Sequence, residues 1–241
     1  MSKVVGKMMK KVVRIAGFDP GARFGYAYFD VPTDGSFRCP SGLEYDPNVN
    51  PWRWEMPIKE PGVDIKSHCT WAQYAVINKL RLGAWDLSTN RHEGPGMMWI
   101  RLAAYLDELS PDFFVYEMAH GHWRSGAAEY YYNGGLATLE TWAARNELAA
   151  YDSIPVGTLK KFATGKGNCN KDAIVAAANE QLNLELPNSK DDEADAAFIL
   201  KWAVTHYGEV WGSGGNLVQA QSRAAESKGT KPKKKKKGKK P

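Results

Sequence analysis

Apolar runs that end in an acid or a chain break recur along this sequence, and their spacing sets out its elements. Val12-Val13-Arg14-Ile15-Ala16-Gly17-Phe18-Asp19 is rich in β-branched and aromatic residues and stops at Pro20-Gly21. That pattern predicts a strand closed by a turn, and a second strand near Phe24 to Val31 completes a hairpin. Met98, Leu102, Tyr105, Leu106 and Leu109 recur at helical spacing, which predicts an amphipathic helix from Gly96 to Leu109, stopped by Pro111. A strand from Phe113 to Glu117 follows, then a helix marked by Leu136, Leu139, Trp142 and Ala143, and a short strand from Tyr151 to Ile154. Three more helices are expected at Thr158 to Ala163, Lys171 to Leu182 and Asp191 to His206. Residues 32–66 hold six of the thirteen prolines together with Trp52 and Trp54, so they read as an irregular insertion with at most one short strand. Ser67 to Leu82, carrying Trp71, Ala75 and Leu82, reads as a helix. A hairpin followed by alternating helices and strands predicts an α/β domain built on a mixed sheet.

Composition adds boundaries to this outline. The 241 residues suit one domain, and 43% hydrophobic content with 9 Trp supplies ample core. That domain is expected over residues 12–210, with 32–95 as insertion plus helix and 1–11 as a basic extension. No apolar stretch approaches the roughly 20 residues a membrane span requires. The basic start of the chain lacks a signal-peptide core, which predicts an intracellular protein without membrane partners. Cys39, Cys69 and Cys169 are odd in number and form no CxxC pair, so neither a disulfide framework nor a zinc site is indicated.

The net charge of +5 is unevenly placed. Arg223 to Pro241 holds ten basic residues and one acid, a net +9, which leaves −4 for the rest of the chain. A polycation with Gly and Pro buries nothing, so residues 211–241 are expected to form a disordered tail that attracts phosphates non-specifically. A solubility tail or a nuclear import signal at Pro232 to Lys237 are the other uses of such a run. Deleting Arg223 to Pro241 should flatten the salt dependence of affinity for a phosphate polyanion. Titrations at several salt concentrations check this, and an unchanged slope would show that the acidic body binds phosphates alone.

Candidate chemistry concentrates in four carboxylates from three separated segments. Asp19 and Glu117 each close an apolar strand, and Asp192 and Asp195 lie three apart at the start of the last amphipathic helix. Asp19 before Pro-Gly also suits ordinary turn chemistry, and Asp192, three after Ser189, suits helix capping. Asp195 lies beyond the first turn. It falls on one stripe with Asp192, Ile199 and Trp202, and an unpaired carboxylate on a sheet-packed face costs several kcal/mol or takes up a proton. Glu117 shares strand parity with the apolar Phe113 and Val115, which puts it at the rim of the same face. Acids so placed repel one another unless a cation neutralises them, and their hard oxygens suit Mg²⁺ or Mn²⁺. Two such ions roughly 3.5–4 Å apart make a phosphodiester-cleaving centre. The residues therefore point to a metal-dependent nuclease.

These segments resemble the RuvC family of Holliday-junction resolvases. Ile15 to Gly21 followed by Gly25-Tyr26-Ala27 looks like the opening of that family, Val115-Tyr116-Glu117 like its second acidic strand, and Asp192 to Ala197, running on to His206, like its last helix. Order and spacing agree from about Val12 to His206, apart from residues 32–95. The resemblance implies an RNase H-like fold with a mixed five-stranded sheet flanked by helices, here with a Trp/Pro-rich insertion. It implies a homodimer and symmetric nicking of branched, four-way DNA. It also implies a two-ion Mg²⁺ site on Asp19, Glu117, Asp192 and Asp195, with Mn²⁺ able to substitute. The insertion and lysine tail resemble bacteriophage-type members, and a cytoplasmic setting in a bacterium or infected host follows. RNA–DNA hybrids, flaps or forks remain alternative substrates, and a non-catalytic DNA-binding or packaging-associated protein is the alternative class.

Basic and aromatic residues accompany the acids. Gly165 to Lys171 is a Gly-rich loop entering a helix, with Asn170 as the expected cap. It offers backbone N–H groups and the ammoniums of Lys166 and Lys171 to a phosphate, although its spacing is not that of a Walker A loop. Lys171 matches the family's lysine near the scissile phosphate and Lys160 matches another; a solvated helix-start lysine is the plain alternative. His120, Trp123 and Arg124, with Tyr130-Tyr131-Tyr132, form a cluster that suits stacking on unpaired bases, and core or interface packing explains the tyrosines equally well. His120-Gly121-His122 reads as a surface loop, and His206, three turns from Asp195, as structural.

Overall fold

In the computed structural model, residues 12–32, 80–88, 96–119, 125–148 and 150–212 are described. Their elements run β1 (Val12–Asp19), β2 (Arg23–Pro32), β3 (Arg81–Asp86), α1 (Met97–Leu109), β4 (Phe113–Met118), α2 (Gly126–Arg145), β5 (Tyr151–Pro155), α3 (Val156–Thr164), α4 (Lys171–Leu182) and α5 (Asp191–Gly212). The sheet order is β3-β2-β1-β4-β5. The β1–β2 and β2–β3 pairs are antiparallel, whereas β1–β4 and β4–β5 are parallel. This is a five-stranded mixed sheet, as the alternation of strands and helices in the sequence predicts. Parallel neighbours need a helical crossover, and α1 and α2 supply those between β1, β4 and β5.

Strand alternation sorts the side chains into two cores. Ala16, Phe18, Phe24, Phe114 and Tyr116 face α1 and α2, meeting Leu102, Leu106, Leu139 and Trp142. Val13, Ile15, Ala27, Phe29, Phe113 and Val115 face α3, α4 and α5. Helix α5 is the central element of that second layer, with Ala194, Ala196 to Leu200, Ala203 and Val204 all buried. It lies on the sheet almost without intervening side chains. A methyl group on Gly17 would come within 2.6 Å of the Ala196 carbonyl oxygen and the Leu200 nitrogen, and one on Gly25 within 2.2 Å of the Asp192 carbonyl oxygen. Only hydrogen at these two strand positions lets the helix backbone touch β1 and β2.

The far end of β1 is pinned by polar contacts. Arg14 donates from Nε to Asp30 Oδ1 at 2.7 Å and from Nη1 to the Leu109 carbonyl at 2.7 Å. Its backbone N–H donates to Asp112 Oδ2 at 3.0 Å. At the end of α1, Ser110 takes a left-handed conformation (φ 48°), and its N–H closes on the Leu106 carbonyl at 2.7 Å before Pro111 prevents continuation.

Two sequence expectations are corrected here. The helix read over Ser67 to Leu82 does not hold at its end, because Arg81 and Leu82 begin β3, which pairs with β2 from Tyr28↔Arg81 to Arg23↔Asp86. A segment read as part of an insertion thus supplies an edge strand of the sheet. Residues 67–79, residues 33–66 of the expected insertion, the N-terminal residues 1–11 and the residues beyond Gly212 lie outside the described residues. Ser189 does not cap the last helix: α5 starts at Asp191, the Lys190 carbonyl accepts its first bond from Ala194 N–H at 3.1 Å, and Ser189 lies one residue too early. The Asn170 cap does form, with its side chain accepting from Ala173 N–H at 3.0 Å.

Candidate active site

Asp19 and Glu117 are held at one end of the sheet by adjacent parallel strands. The β1–β4 register runs from Ile15↔Phe113 to Phe18↔Tyr116, so the next step along both strands brings Asp19 level with Glu117. Neighbouring strands lie about 4.8 Å apart. Both acids share the parity of residues that face α5: Ile15 and Val13 precede Asp19 at alternate positions, as Val115 and Phe113 precede Glu117. On the other side of β1, Asp19 pairs with Gly25, whose α-carbon is covered by the Asp192 peptide and lies against Asp19 Cβ. The first turn of α5 therefore sits directly over the end of the hairpin, and Asp195, one turn further on, faces the same end.

The electrostatics follow from the crowding. Burial pushes the Asp19 carboxyl well above its ordinary range, and the charges of Glu117, Asp195 and Asp192 push it further while Lys171 opposes them. Burial likewise lifts Glu117 to about 7 against the pull of Lys160 and Lys171. Asp195 rises to about 8 through burial and the charge of Glu117, with Lys160 and Lys171 again opposing. Asp192 is raised by burial and by Asp191, with Lys171 and Arg23 working the other way. Asp195 Oδ1 is buried and has no hydrogen-bond partner among the described residues. A buried acceptor left in this state costs about 1–3 kcal/mol, so it invites a cation or a proton.

The lysines stand on the facing elements. Lys171 opens α4 and is ion-paired to Asp191 at the start of α5. Burial lowers its proton affinity, but the hydrogen bond to Asp191 and the charges of Asp191, Asp192 and Asp19 reverse that, leaving the ammonium more firmly protonated. Lys160 is half-buried on α3 and Lys166 is exposed in the loop before α4. His120, Trp123 and Arg124 lie outside the described residues. Of the tyrosines, Tyr132 is buried and Tyr130 is 48% exposed beside Trp99 and Tyr131. His206 stacks on Trp202 with ring centroids 4.0 Å apart.

Sequence reading passed over three residues here, Arg23, Glu193 and Asp191, and took Tyr132 only as a stacking or packing residue. Arg23, first in β2, lies 3.4 Å from Asp192 Oδ2 and 3.1 Å from Glu193 Oε1. Glu193 is 2% exposed and is also paired with Lys190 at 2.6 Å. Asp191 holds Lys171, and Tyr132 binds the end of β4. An Asp-Asp-Glu run and an Arg after a Pro-Gly turn were visible signals, but only the packing of α5 on β2 gives them partners.

As they stand, no three His, Cys, Asp or Glu side chains among the described residues are arranged to hold a metal ion; Asp192 leans on Arg23 instead. The donor chemistry nonetheless fits a hard divalent cation. The four groups are carboxylates, one oxygen is buried without a partner among the described residues, and the charges of Glu117, Asp192 and Asp195 raise the proton affinity of Asp19. An open pocket of about 380 Å³ beside Trp99, Thr138 and Trp142 lies between α1 and α2, across the sheet from the acids. Among the described residues no helix is long and apolar enough to cross a membrane.

No family model and no curated protein matches the chain. Among solved structures, it is similar to Thermus thermophilus RuvC in complex with a Holliday junction substrate, with 15% identity and a TM-score of 0.48 over 82% of this chain and 96% of that one. A second Thermus thermophilus RuvC structure is 16% identical, with a TM-score of 0.48 over 80% and 93% of the two chains. The yeast mitochondrial Holliday junction resolvase is 14% identical, with a TM-score of 0.44 over 89% and 84%.

Proposed function

We propose that this chain is a divalent-metal-dependent endonuclease of the RuvC type that cuts branched DNA, four-way junctions foremost. The observation that carries the reading is the meeting of Asp19, Glu117, Asp192 and Asp195 at one end of the sheet, with Asp195 Oδ1 left without a partner among the described residues. The sequence motifs that resemble RuvC resolvases supply the substrate class. Those four carboxylates would hold one or two Mg²⁺ ions, and the bound metal would supply Lewis acidity toward a phosphodiester and its attacking water. Asp19, flanked by Glu117 on β4 and by the acids of α5, would be among the ligands. Lys171 is aimed from the start of α4 by Asp191 and would offset charge on the scissile phosphate. Lys160 eases the crowding of Glu117 and Asp195. Arg23 opposes the rise at Asp192 and directs its carboxylate. Two copies of the chain in a dimer would present two such centres to opposed strands.

The test is competition in one assay between a four-way junction, an RNA–DNA hybrid, a flap and plain duplex, each with Mg²⁺ and with chelator. Paired, metal-dependent nicks in the junction are expected. Preferred cutting of the hybrid would keep the chemistry and change the substrate, and no metal-dependent cutting of any substrate would remove the reading.

A pH dependence follows from the crowded acids. Glu117 and Asp195 lose their protons only around pH 7 and 8 respectively, and a metal takes the deprotonated forms. Apparent Mn²⁺ affinity should therefore climb from pH 6 to about 8.5, with protons released on binding. Calorimetry in two buffers of different ionisation enthalpy measures that release; identical heats in both would contradict it.

A further inference from the structure

We propose that Tyr132 is a positioning residue for Glu117. Glu117 is the last residue but one of β4, where the pairing with β1 has ended and that with β5 is about to end. On one side the β1 register closes at Phe18↔Tyr116, and on the other Met118 faces Pro155, which has no N–H to donate. The Glu117 carbonyl and the Ala119 N–H straddle this frayed end. Tyr132, reaching back from α2, bridges both: its hydroxyl donates to the Glu117 carbonyl at 3.2 Å and accepts from Ala119 N–H at 3.0 Å. A phenol can give one hydrogen bond and take others at once, so one buried side chain fixes the backbone on either side of Met118. That bracket sets the direction in which the Glu117 carboxylate leaves the strand toward Asp19 and α5. The hydroxyl touches backbone, so its influence on the reaction passes through Glu117.

This inference rests on Glu117 belonging to the metal centre proposed above. The test uses the full-length chain with Tyr132→Phe, which keeps the ring and removes the bracket. Misaligning a ligand through its support costs about 10–100-fold in metal affinity or activity. Mn²⁺ affinity by calorimetry and kcat on a four-way junction should fall by that amount, KM for the junction should stay within about twofold, and added Mn²⁺ should restore part of kcat. Hydrogen exchange at Ala119 N–H should quicken in the same variant. Glu117→Gln is measured beside it. If Glu117→Gln weakens Mn²⁺ binding while Tyr132→Phe matches wild type in affinity, kcat and exchange, the positioning role is overturned alone. Loss of thermal stability in Tyr132→Phe with Mn²⁺ affinity and kcat unchanged would likewise overturn it, by showing a purely structural contact. If wild type and Glu117→Gln bind Mn²⁺ equally or not at all, the metal-centre reading falls and takes this role with it.

Discussion

Asp195→Asn should abolish cleavage and, in metal-free buffer at pH 8, make the protein harder to melt. Both effects have one cause. The Asp195 carboxyl is lifted to about 8 by burial and by Glu117. A carboxyl whose folded pKa exceeds its unfolded value of about 4 holds a proton in the folded state that the unfolded chain releases. Its contribution is fully present below pH 4 and is lost as pH rises toward 8, where the folded protein must carry a crowded negative charge. Asparagine removes that charge while leaving a polar group of similar shape. The metal-free variant should gain about 1–3 kcal/mol at pH 8, roughly 2–10 °C in Tm for a chain of this size. The advantage should vanish near pH 4. Saturating Mg²⁺ should raise the Tm of wild type and leave the variant almost unmoved. Cleavage should drop on the order of 10³-fold, with junction binding kept or improved because a negative charge has gone. Asp19→Asn should behave in the same way. Scanning calorimetry at two pH values with and without Mg²⁺, beside a junction assay, decides the matter. A variant that cuts at the wild-type rate, or that melts earlier than wild type at pH 8 without metal, would contradict the assignment.

Gly25→Ala should cost more than any apolar substitution of one carbon in this core. The new methyl would lie 2.2 Å from the Asp192 carbonyl oxygen and 2.8 Å from its carbonyl carbon. Those are backbone atoms that no rotamer change can move aside. Helix α5 must lift away from the hairpin, at a cost of about 3 kcal/mol or more, and its two acids leave Asp19 with it. Activity should therefore fall further than the unfolded fraction explains, a difference visible when urea melts and kcat are measured on the same sample. Gly17→Val should destabilise comparably, since its side chain would meet the Ala196 carbonyl and the Leu200 nitrogen. Gly126→Ala is the control. It opens α2 with nothing within 4 Å of the added carbon, so it should be neutral or stabilise by up to about 1 kcal/mol. Equal melts for Gly25→Ala and Gly126→Ala would show that α5 is not seated on the sheet as described.

How much of this was legible in the sequence differs by element. β1, β2 and β4 were readable because each is a dense apolar run with a visible stop, β5 because a short run from Tyr151 to Ile154 halts at Pro155, and the acids at the ends of β1 and β4 could be assigned to one face by parity alone. Strand β3 was not. Its six residues are partly buried or exposed throughout, without alternation, and Trp71, Ala75 and Leu82 fit a helical period that ran over its start. What makes it a strand is cross-strand contact, with Trp85 stacked on Tyr26 at 4.5 Å and Gly83 making room for the Tyr26 hydroxyl. Such a pairing leaves no local periodicity. Within the site, acids could be found from strand ends and helix stripes, and Lys171 from its loop. The contacts of Arg23, Asp191 and Tyr132 could not, because each is made with a partner 15 or more residues away that only packing supplies. The Ser189 cap failed for a smaller reason: a polar residue near a helix start fixes the boundary only to within a residue or two.

Seating a helix through bare peptide against bare peptide has a result for how this molecule tolerates change. Where two elements are spaced by interlocking leucines and phenylalanines, every swap among those residues resets the gap. Here the gap under α5 is a ruler made of main chain, so exchanges among the surrounding apolar residues can loosen or tighten the whole without altering how far the carboxylates of the helix stand from those of the strands.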